Sequence, residues 1–96
     1  MRFNSLMRAS AIGNIKAVKD LIEKGEDINL RGPRGSTALM FATGAGHLDI
    51  VKFLVAKGAD VSAIEDGGWD AKRHAQEDGD ESLIDFFEEI NWKKKH

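Results

Sequence analysis

The residues of this chain best suited to metal binding or proton transfer are its three histidines, His47, His74 and His96. None of them has a second histidine, or a carboxylate in a known ligand cluster, at helical spacing. The chain contains no cysteine, which excludes disulfides, thiolate metal sites and thiol catalysis together. The sequence therefore predicts no metal site.

A cluster of carboxylates raises the question of calcium binding. Glu77, Asp78, Asp80 and Glu81 stand within five positions of one another. Their spacing lacks the alternating oxygen ligands and the distal bidentate glutamate of a calcium loop. A solvated cluster at the start of a helix, where the helix dipole favours negative charge, is the better interpretation.

Two glycine-rich segments, 32–35 and 44–46, suggest phosphate binding. Neither follows a buried strand and opens into a helix that begins with Lys-Ser or Lys-Thr, so nucleotide binding is not expected. No nucleophile elbow and no His-Glu metalloprotease pattern is present. We therefore expect no enzyme and no cofactor. The three lysines 93–95, on an acidic chain end, are too weak a signal to predict nucleic-acid binding.

The composition is that of a soluble globular chain. Its 96 residues are 42% hydrophobic and 31% charged, which predicts one domain over residues 1–96. The start of the chain has no apolar signal segment, and the longest nearly apolar run, 50–56, is broken by Lys52. We expect a cytoplasmic protein without membrane contact.

The net charge of −2 conceals a gradient along the chain. Residues 1–34 carry seven basic and four acidic groups, whereas residues 64–92 carry two basic and ten acidic groups. The molecule should therefore have a basic first part and an acidic later part.

The elements that must position these residues repeat with a period of 33 positions. This shift aligns Leu6 with Leu39, Gly13 with Gly46, and Leu21 with Leu54, among other pairs. A second shift of 33 carries the pattern on to residue 87. Such a period predicts a solenoid of stacked units.

Each unit reads as a helix, a tight turn and a second helix. Asn4, Thr37 and Asp70 are side chains that can cap three first helices. Glycines nine positions later provide the left-handed terminators. Apolar residues spaced by three and four then predict second helices near 15–24, 48–57 and 81–91. Alternating segments and glycine-rich stretches follow two of these helices, and they predict projecting hairpin fingers.

The run from Gly35 to Ala42, followed by Gly46 to Leu54 and by Gly58 to Val61, resembles an ankyrin repeat. The resemblance is close over residues 32–64 and looser on both sides, as is usual for terminal repeats. The chain departs from the family pattern at Ala38 and Met40, where proline and histidine are usual. Lys72 also stands where the family places a buried leucine.

The resemblance implies an all-α ankyrin-repeat solenoid of stacked helix-turn-helix units with short β-hairpin-like fingers. Repeat 1 would span about residues 1–31, repeat 2 about 32–64, and repeat 3 with a C-terminal cap about 65–96. It further implies a monomer that binds a partner protein through a concave face of fingers and first helices, as an inhibitor, an immunity-type regulator or an adaptor. The positions that match the variable sites of this face are Arg31, Pro33, Arg34, Ser36, Gly44, Ala45, Ile64, Glu65, Asp66, Trp69, Arg73, Glu77 and Asp78.

The two tryptophans have different expected roles. Trp69 is either an anchor of the interface or a structural cover on the finger, whereas Trp92 is expected to close the exposed end of the core.

Two other functional classes compete with partner binding. A small enzyme or ligand-binding protein would need convergent titratable groups in a pocket, and a structural assembly unit would need apolar surfaces open at both ends of the stack.

Overall fold

The computed structural model describes residues 3–95 of the chain. In this range the chain forms six α-helices: α1 (Ser5–Ile12), α2 (Ile15–Glu23), α3 (Ala38–Gly44), α4 (Leu48–Ala56), α5 (Ala71–Asp78) and α6 (Glu81–Lys95). They form three helix-turn-helix pairs, as the 33-residue period predicts. Our sequence-based starts of α2, α4 and α6 are confirmed to the residue.

Polar side chains begin the first helix of each pair. Asn4, Thr37 and Asp70 accept hydrogen bonds from backbone N–H groups three residues later, at 2.9, 3.3 and 2.8 Å. Each bond satisfies a donor that the first helical turn leaves without a partner. All three predicted caps are therefore confirmed, and they fix where α1, α3 and α5 begin.

The turn that follows α1 is closed by Gly13, in the left-handed conformation with φ 84°. A Cβ atom at this position would lie 2.7 Å from His47 Cε1 in the next pair. A ring nitrogen of His47 also lies 3.2 Å from the Ala11 carbonyl oxygen. The glycine is thus required by both the backbone conformation and the close approach of the neighbouring repeat.

The pairs stack side by side, with α1 on α3 and α3 on α5. The second helices α2 and α4 touch each other less than the first helices do. The buried core runs through all three pairs and includes Leu6, Val18, Leu39, Ile50, Val51, Leu54, Leu83 and Phe87. Leu54 is fully buried, as its aligned position in the apolar stripe predicts.

The two fingers contain no β-strand in the described residues. Asp27 and Asp60 instead bend the chain, since each side chain accepts a bond from the backbone N–H two residues later, at 2.9 Å. Further along, backbone bonds close the first finger from Gly32 N–H to the Ser36 carbonyl and from Gly35 N–H to the Gly32 carbonyl. The second finger is closed from Glu65 N–H to the Trp69 carbonyl and from Gly68 N–H to the Glu65 carbonyl. The predicted fingers exist as tight turns without a strand ladder.

Helix α6 is longer than predicted, and this changes the role of Trp92. Its 15 residues span about 22 Å, against about 12 Å for the eight residues of α5. The last turns of α6 therefore extend past the length of α5. Trp92 is 60% exposed and does not close the core, contrary to our expectation; Leu83 and Phe87 fill that place instead.

None of the helices between residues 3 and 95 is both long enough and apolar enough to cross a membrane.

Candidate functional site

The concave face is defined here as the surface of the two finger turns, 31–36 and 64–69, together with the first helices α1, α3 and α5. Its fingers are joined by the backbone: the Asp66 N–H donates to the Arg34 carbonyl at 2.9 Å. Arg34 has φ 59°, a left-handed conformation that costs a non-glycine residue about 1–2 kcal/mol. The side chain of Arg34 is exposed at this tip, beside the exposed Pro33 and Asp66.

Arg31 connects the same two fingers through its side chain. Its Nη1 atom donates to the Gly35 carbonyl at 2.8 Å and to the Ile64 carbonyl at 2.5 Å. Arg31 was predicted as a partner-binding residue, but its guanidinium is engaged in fixing the fingers. Ile64, held by this contact, exposes 56% of its surface.

Gly35 allows the fingers to approach each other. It has φ 72°, and a Cβ atom there would lie 3.0 Å from Asp66 Oδ1. Any other residue would therefore be strained in its backbone and crowded by the second finger. The finger tips are held at a fixed spacing by the glycine, by Arg31 and by the backbone bond between them.

A polar cluster lies where the second finger meets the inner helices. Glu65 Oε2 accepts a bond from Ser36 Oγ at 3.4 Å and lies 3.4 Å from His74 Nε2. The alignment of that imidazole nitrogen does not meet the geometry of a hydrogen bond. Ser36 is buried, so this predicted site residue contributes to the base of the face and not to its open surface.

The order of groups in this cluster bears on the enzyme alternative. Activation of a serine nucleophile requires an imidazole next to the hydroxyl, with a carboxylate behind the imidazole. Here the Glu65 carboxylate accepts from the Ser36 hydroxyl and lies between it and His74. This order supports a structural link between finger and helix and differs from the hydroxyl–imidazole–carboxylate order of such a nucleophile.

Trp69 lies under two side chains of α5. The Arg73 guanidinium carbon is 4.6 Å from the centre of the indole, and the His74 ring packs against it edge-on at 5.2 Å. Arg73 is fixed in turn by Glu77, at 3.3 Å between Nε and Oε1. Trp69 is half-buried, because these two side chains cover part of it.

A groove of about 330 Å³ opens on the concave face between the first helices. It is lined by Ala11, Ser36, Met40, Phe41, Gly44, Ala45 and His74. The predicted residues Ser36, Gly44 and Ala45 therefore come together at one place. Glu77 and Asp78, at the last turn of α5, are exposed and lie outside this lining.

The predicted site left out Ala11, Met40, Phe41 and His74, which line the groove, and Arg8. Arg8, Phe41 and His74 occupy the same position in successive repeats, 33 residues apart. Phe41 packs edge-on against Phe3 at 4.9 Å, and the Arg8 guanidinium lies 5.6 Å from the centre of the Phe3 ring. The period itself is the signal that could have identified this row.

Two other grooves, each of about 370 Å³, lie elsewhere. One is at the end of α6, lined by Val61, Ser62, Asp70, Lys72, Phe87, Ile90, Asn91 and Lys94. The other is on α1 and α2, next to Ile12, which is 68% exposed. Within residues 3–95 no group of three or more histidine or acidic side chains is arranged to hold a metal ion.

Comparison with protein-family models matches residues 6–91 to three copies of the ankyrin repeat. The match covers nearly the whole chain and includes both terminal pairs, in which the resemblance of the sequence is looser. A comparison with curated proteins finds no match to the chain.

Proposed function

Because this chain belongs to the ankyrin-repeat family, whose members are generally protein–protein interaction modules, we propose that it binds a partner protein through its concave face. The residues proposed to make the contact surround the groove and the finger tips. They are Pro33, Arg34, Gly44, Ala45, Ile64, Asp66, Trp69, Arg73, Glu77 and Asp78, with Arg31, Ser36 and Glu65 supporting them from beneath or beside.

One observation carries this proposal: apolar surface is left open beside fingers that are fixed to each other by hydrogen bonds. The groove and Ile64 expose apolar groups, while the fingers around them are fixed by Arg31 and by the bond between Asp66 and Arg34. An interface that is already ordered loses little conformational entropy on binding. An apolar centre with a charged rim is also the usual composition of an interface.

The fingers and the first helices form one joined surface, since the Asp66 N–H bonds to the Arg34 carbonyl and Arg31 bonds to both fingers. One such surface suits an inhibitor or an immunity-type regulator that engages one partner. An adaptor would need a second surface for a second partner. We propose that the protein acts as a monomer in the cytoplasm. The proposed location rests on the absence of cysteine.

One observation favours the structural assembly alternative over the enzyme alternative. Ile12 and Trp92 expose 68% and 60% of their surfaces, Ile12 in the groove on α1 and α2 and Trp92 near the end of α6. Exposed apolar residues of this kind can contact other proteins. They are single residues, however, whereas the concave face combines a groove, fixed fingers and charges of both signs.

The experiment that tests the proposal is a comparative capture from native lysate, read by quantitative mass spectrometry. Three baits are compared: the wild type, Ile64→Asp on the concave face, and Lys52→Glu on the outer helix α4. Proteins captured by the wild type and by Lys52→Glu, but lost with Ile64→Asp, support the concave face. Loss with Lys52→Glu alone moves the site to the outer helices and contradicts the proposal.

A further inference from the structure

The three repeats differ at the ends of their first helices. The equivalent pairs are Ala11–Ile12 and Glu77–Asp78 in the last turns of α1 and α5, and Gly44–Ala45 at the end of α3. The middle repeat therefore has the two smallest side chains, between an apolar pair and an acidic pair. A Cβ atom at Gly44 would meet no other atom within 4 Å, so the space above it is open.

This space, the groove described above, has walls of different chemistry. Met40 is buried at its base, and Phe41, packed against Phe3, forms an apolar side. His74 forms the opposite side, with Glu65 behind it at 3.4 Å. One side therefore suits a hydrocarbon or aromatic group, and the other suits a polar or charged group.

Charge also changes along this face, from one repeat to the next. Over 32–45 the only charged residue is Arg34, a net of +1. The equivalent segment 65–78 carries five acidic and two basic residues, a net of −3. On α1, Arg8 lies over the ring of Phe3, which packs against Phe41 of the groove lining. The charge of this face thus becomes more negative from repeat 2 to repeat 3.

We infer that the groove receives one apolar side chain from an extended segment of the partner protein, and that a basic residue next to this side chain lies over repeat 3. The inference rests on the proposed function and adds the chemistry and the direction of the partner. The apolar side chain fills the space over Gly44 and Ala45, against Phe41. The basic residue faces Glu65 and Asp78.

Charge complementarity selects this partner over the alternatives. An acidic segment would be repelled by the net −3 of residues 65–78, and a nucleic acid would meet the same repulsion through its phosphates. Within this acidic region Arg73 and Glu77 form an ion pair, so their charges offset each other, and the net −3 comes from Glu65, Asp66, Asp70 and Asp78 with Lys72. Asp78, exposed at the end of α5, contributes an acidic group on the rim of the face.

The test begins with peptides selected from a phage-displayed random library on the immobilised wild-type protein. The enriched sequences are synthesised, and their binding is measured by fluorescence anisotropy. We expect Leu, Met or Phe with Lys or Arg within three positions. Replacing that basic residue by Glu in the peptide should weaken binding about tenfold. Enrichment of acidic sequences, or of no sequence family, would overturn the partner chemistry.

Two variants of the protein then locate the peptide. Gly44→Leu fills the groove and should weaken binding at least about tenfold, because an apolar anchor loses its place. Lys52→Leu, which adds the same side chain to the outer helix α4, is its control and should change nothing. Gly44 has no left-handed backbone, so Leu is tolerated there and thermal melts should match the wild type.

Asp78→Lys reverses a charge on the acidic side and should weaken binding by about three- to tenfold, with a smaller effect at high salt. Asp85→Lys makes the same change on the outer helix α6 and should have little effect. Binding that survives Gly44→Leu but is lost in Ile64→Asp would refute the groove while keeping the concave face. Binding that survives all of these variants would refute both.

Discussion

The middle and last repeats use the same positions in different ways. Leu39 and Thr43 in α3 are fully buried between two neighbouring helices, whereas their equivalents in α5 are Lys72, half-buried, and Gln76, exposed. The backbone of the helix is the same in both. The difference shows what decides the type of side chain at a position of this stack. Positions with a repeat on both sides hold side chains that can be buried, and positions with a repeat on one side also hold charged or polar ones.

The first repeat supports the same rule from the opposite end. Leu21 is equivalent to Leu54, yet Leu21 is half-buried and Leu54 is fully buried. Likewise, Ala17 is half-buried, whereas its equivalent Ile50 is fully buried. Stability should therefore be concentrated at the two inter-repeat interfaces, and equivalent substitutions should have unequal effects.

The largest effect is expected when lysine, the residue at position 72 of the last repeat, replaces Leu39 at the equivalent position of the middle repeat. Leu39→Lys would bury an unpaired ammonium group between α1 and α5, which costs several kcal/mol in a domain whose total stability is about 5–15 kcal/mol. We expect the variant to be largely unfolded by circular dichroism. A cooperative melt near that of the wild type would contradict the stacking of α3 between its neighbours.

Removing a buried side chain from α4, the second helix of the middle repeat, should have the next largest effect. Leu54→Ala should lower the free energy of unfolding by about 2–5 kcal/mol, because it removes packing and leaves a cavity. Leu21→Ala should cost clearly less, since Leu21 is partly in solvent already. Urea unfolding of both variants measures the difference. A loss below about 0.5 kcal/mol for Leu54→Ala would show that the register is wrong.

The turn glycines should also behave unequally. Gly13→Ala places a left-handed alanine against His47, whereas Gly79→Ala meets no atom within 4 Å. Both should lose about 1–2 kcal/mol from the backbone, and Gly13→Ala should lose more because His47 must move. Thermal melts of the two variants provide the comparison. Equal losses would mean that the contact between repeats 1 and 2 at His47 does not contribute to stability.

The smallest effect is expected for the reverse exchange, Lys72→Leu. This position has a neighbour on one side only, and so a leucine there gains part of the burial that Leu39 has. We expect no loss of stability and a gain of at most about 1 kcal/mol. Urea unfolding would detect it. A destabilisation above about 1 kcal/mol would show that the stem of Lys72 packs in a way that leucine cannot replace.

The period and the caps made most of the fold predictable, because both are local properties of the sequence. Asn4, Thr37 and Asp70 needed only the residues that follow them to act as caps. The length of α6 was less predictable, since the charged residues after Ile90 are compatible with a helix or with a frayed end. Trp92 was misplaced for that reason.

The candidate site was predictable as a face but not residue by residue. Position in the repeat brought Gly44 and Ala45 to one groove, and it also points to Phe41 and His74 through the same period. The bond of Arg31 to the Ile64 carbonyl and the bond of Ser36 to Glu65 depend on contacts between fingers. Such contacts join residues 29 to 33 positions apart, and no local pattern encodes them.

The measurement that tests partner binding by the concave face most directly is surface-plasmon resonance with the captured partner, at two salt concentrations. Trp69→Ala should weaken binding by about 2 kcal/mol, mainly through faster dissociation, because it also releases Arg73 and His74 from their places on the indole. Arg34→Glu should slow association, most at low salt, since exposed charges act through long-range steering. Thermal melts confirm that both variants fold. Unchanged affinity in both, with binding abolished by Lys52→Glu on the outer helix, would contradict the account.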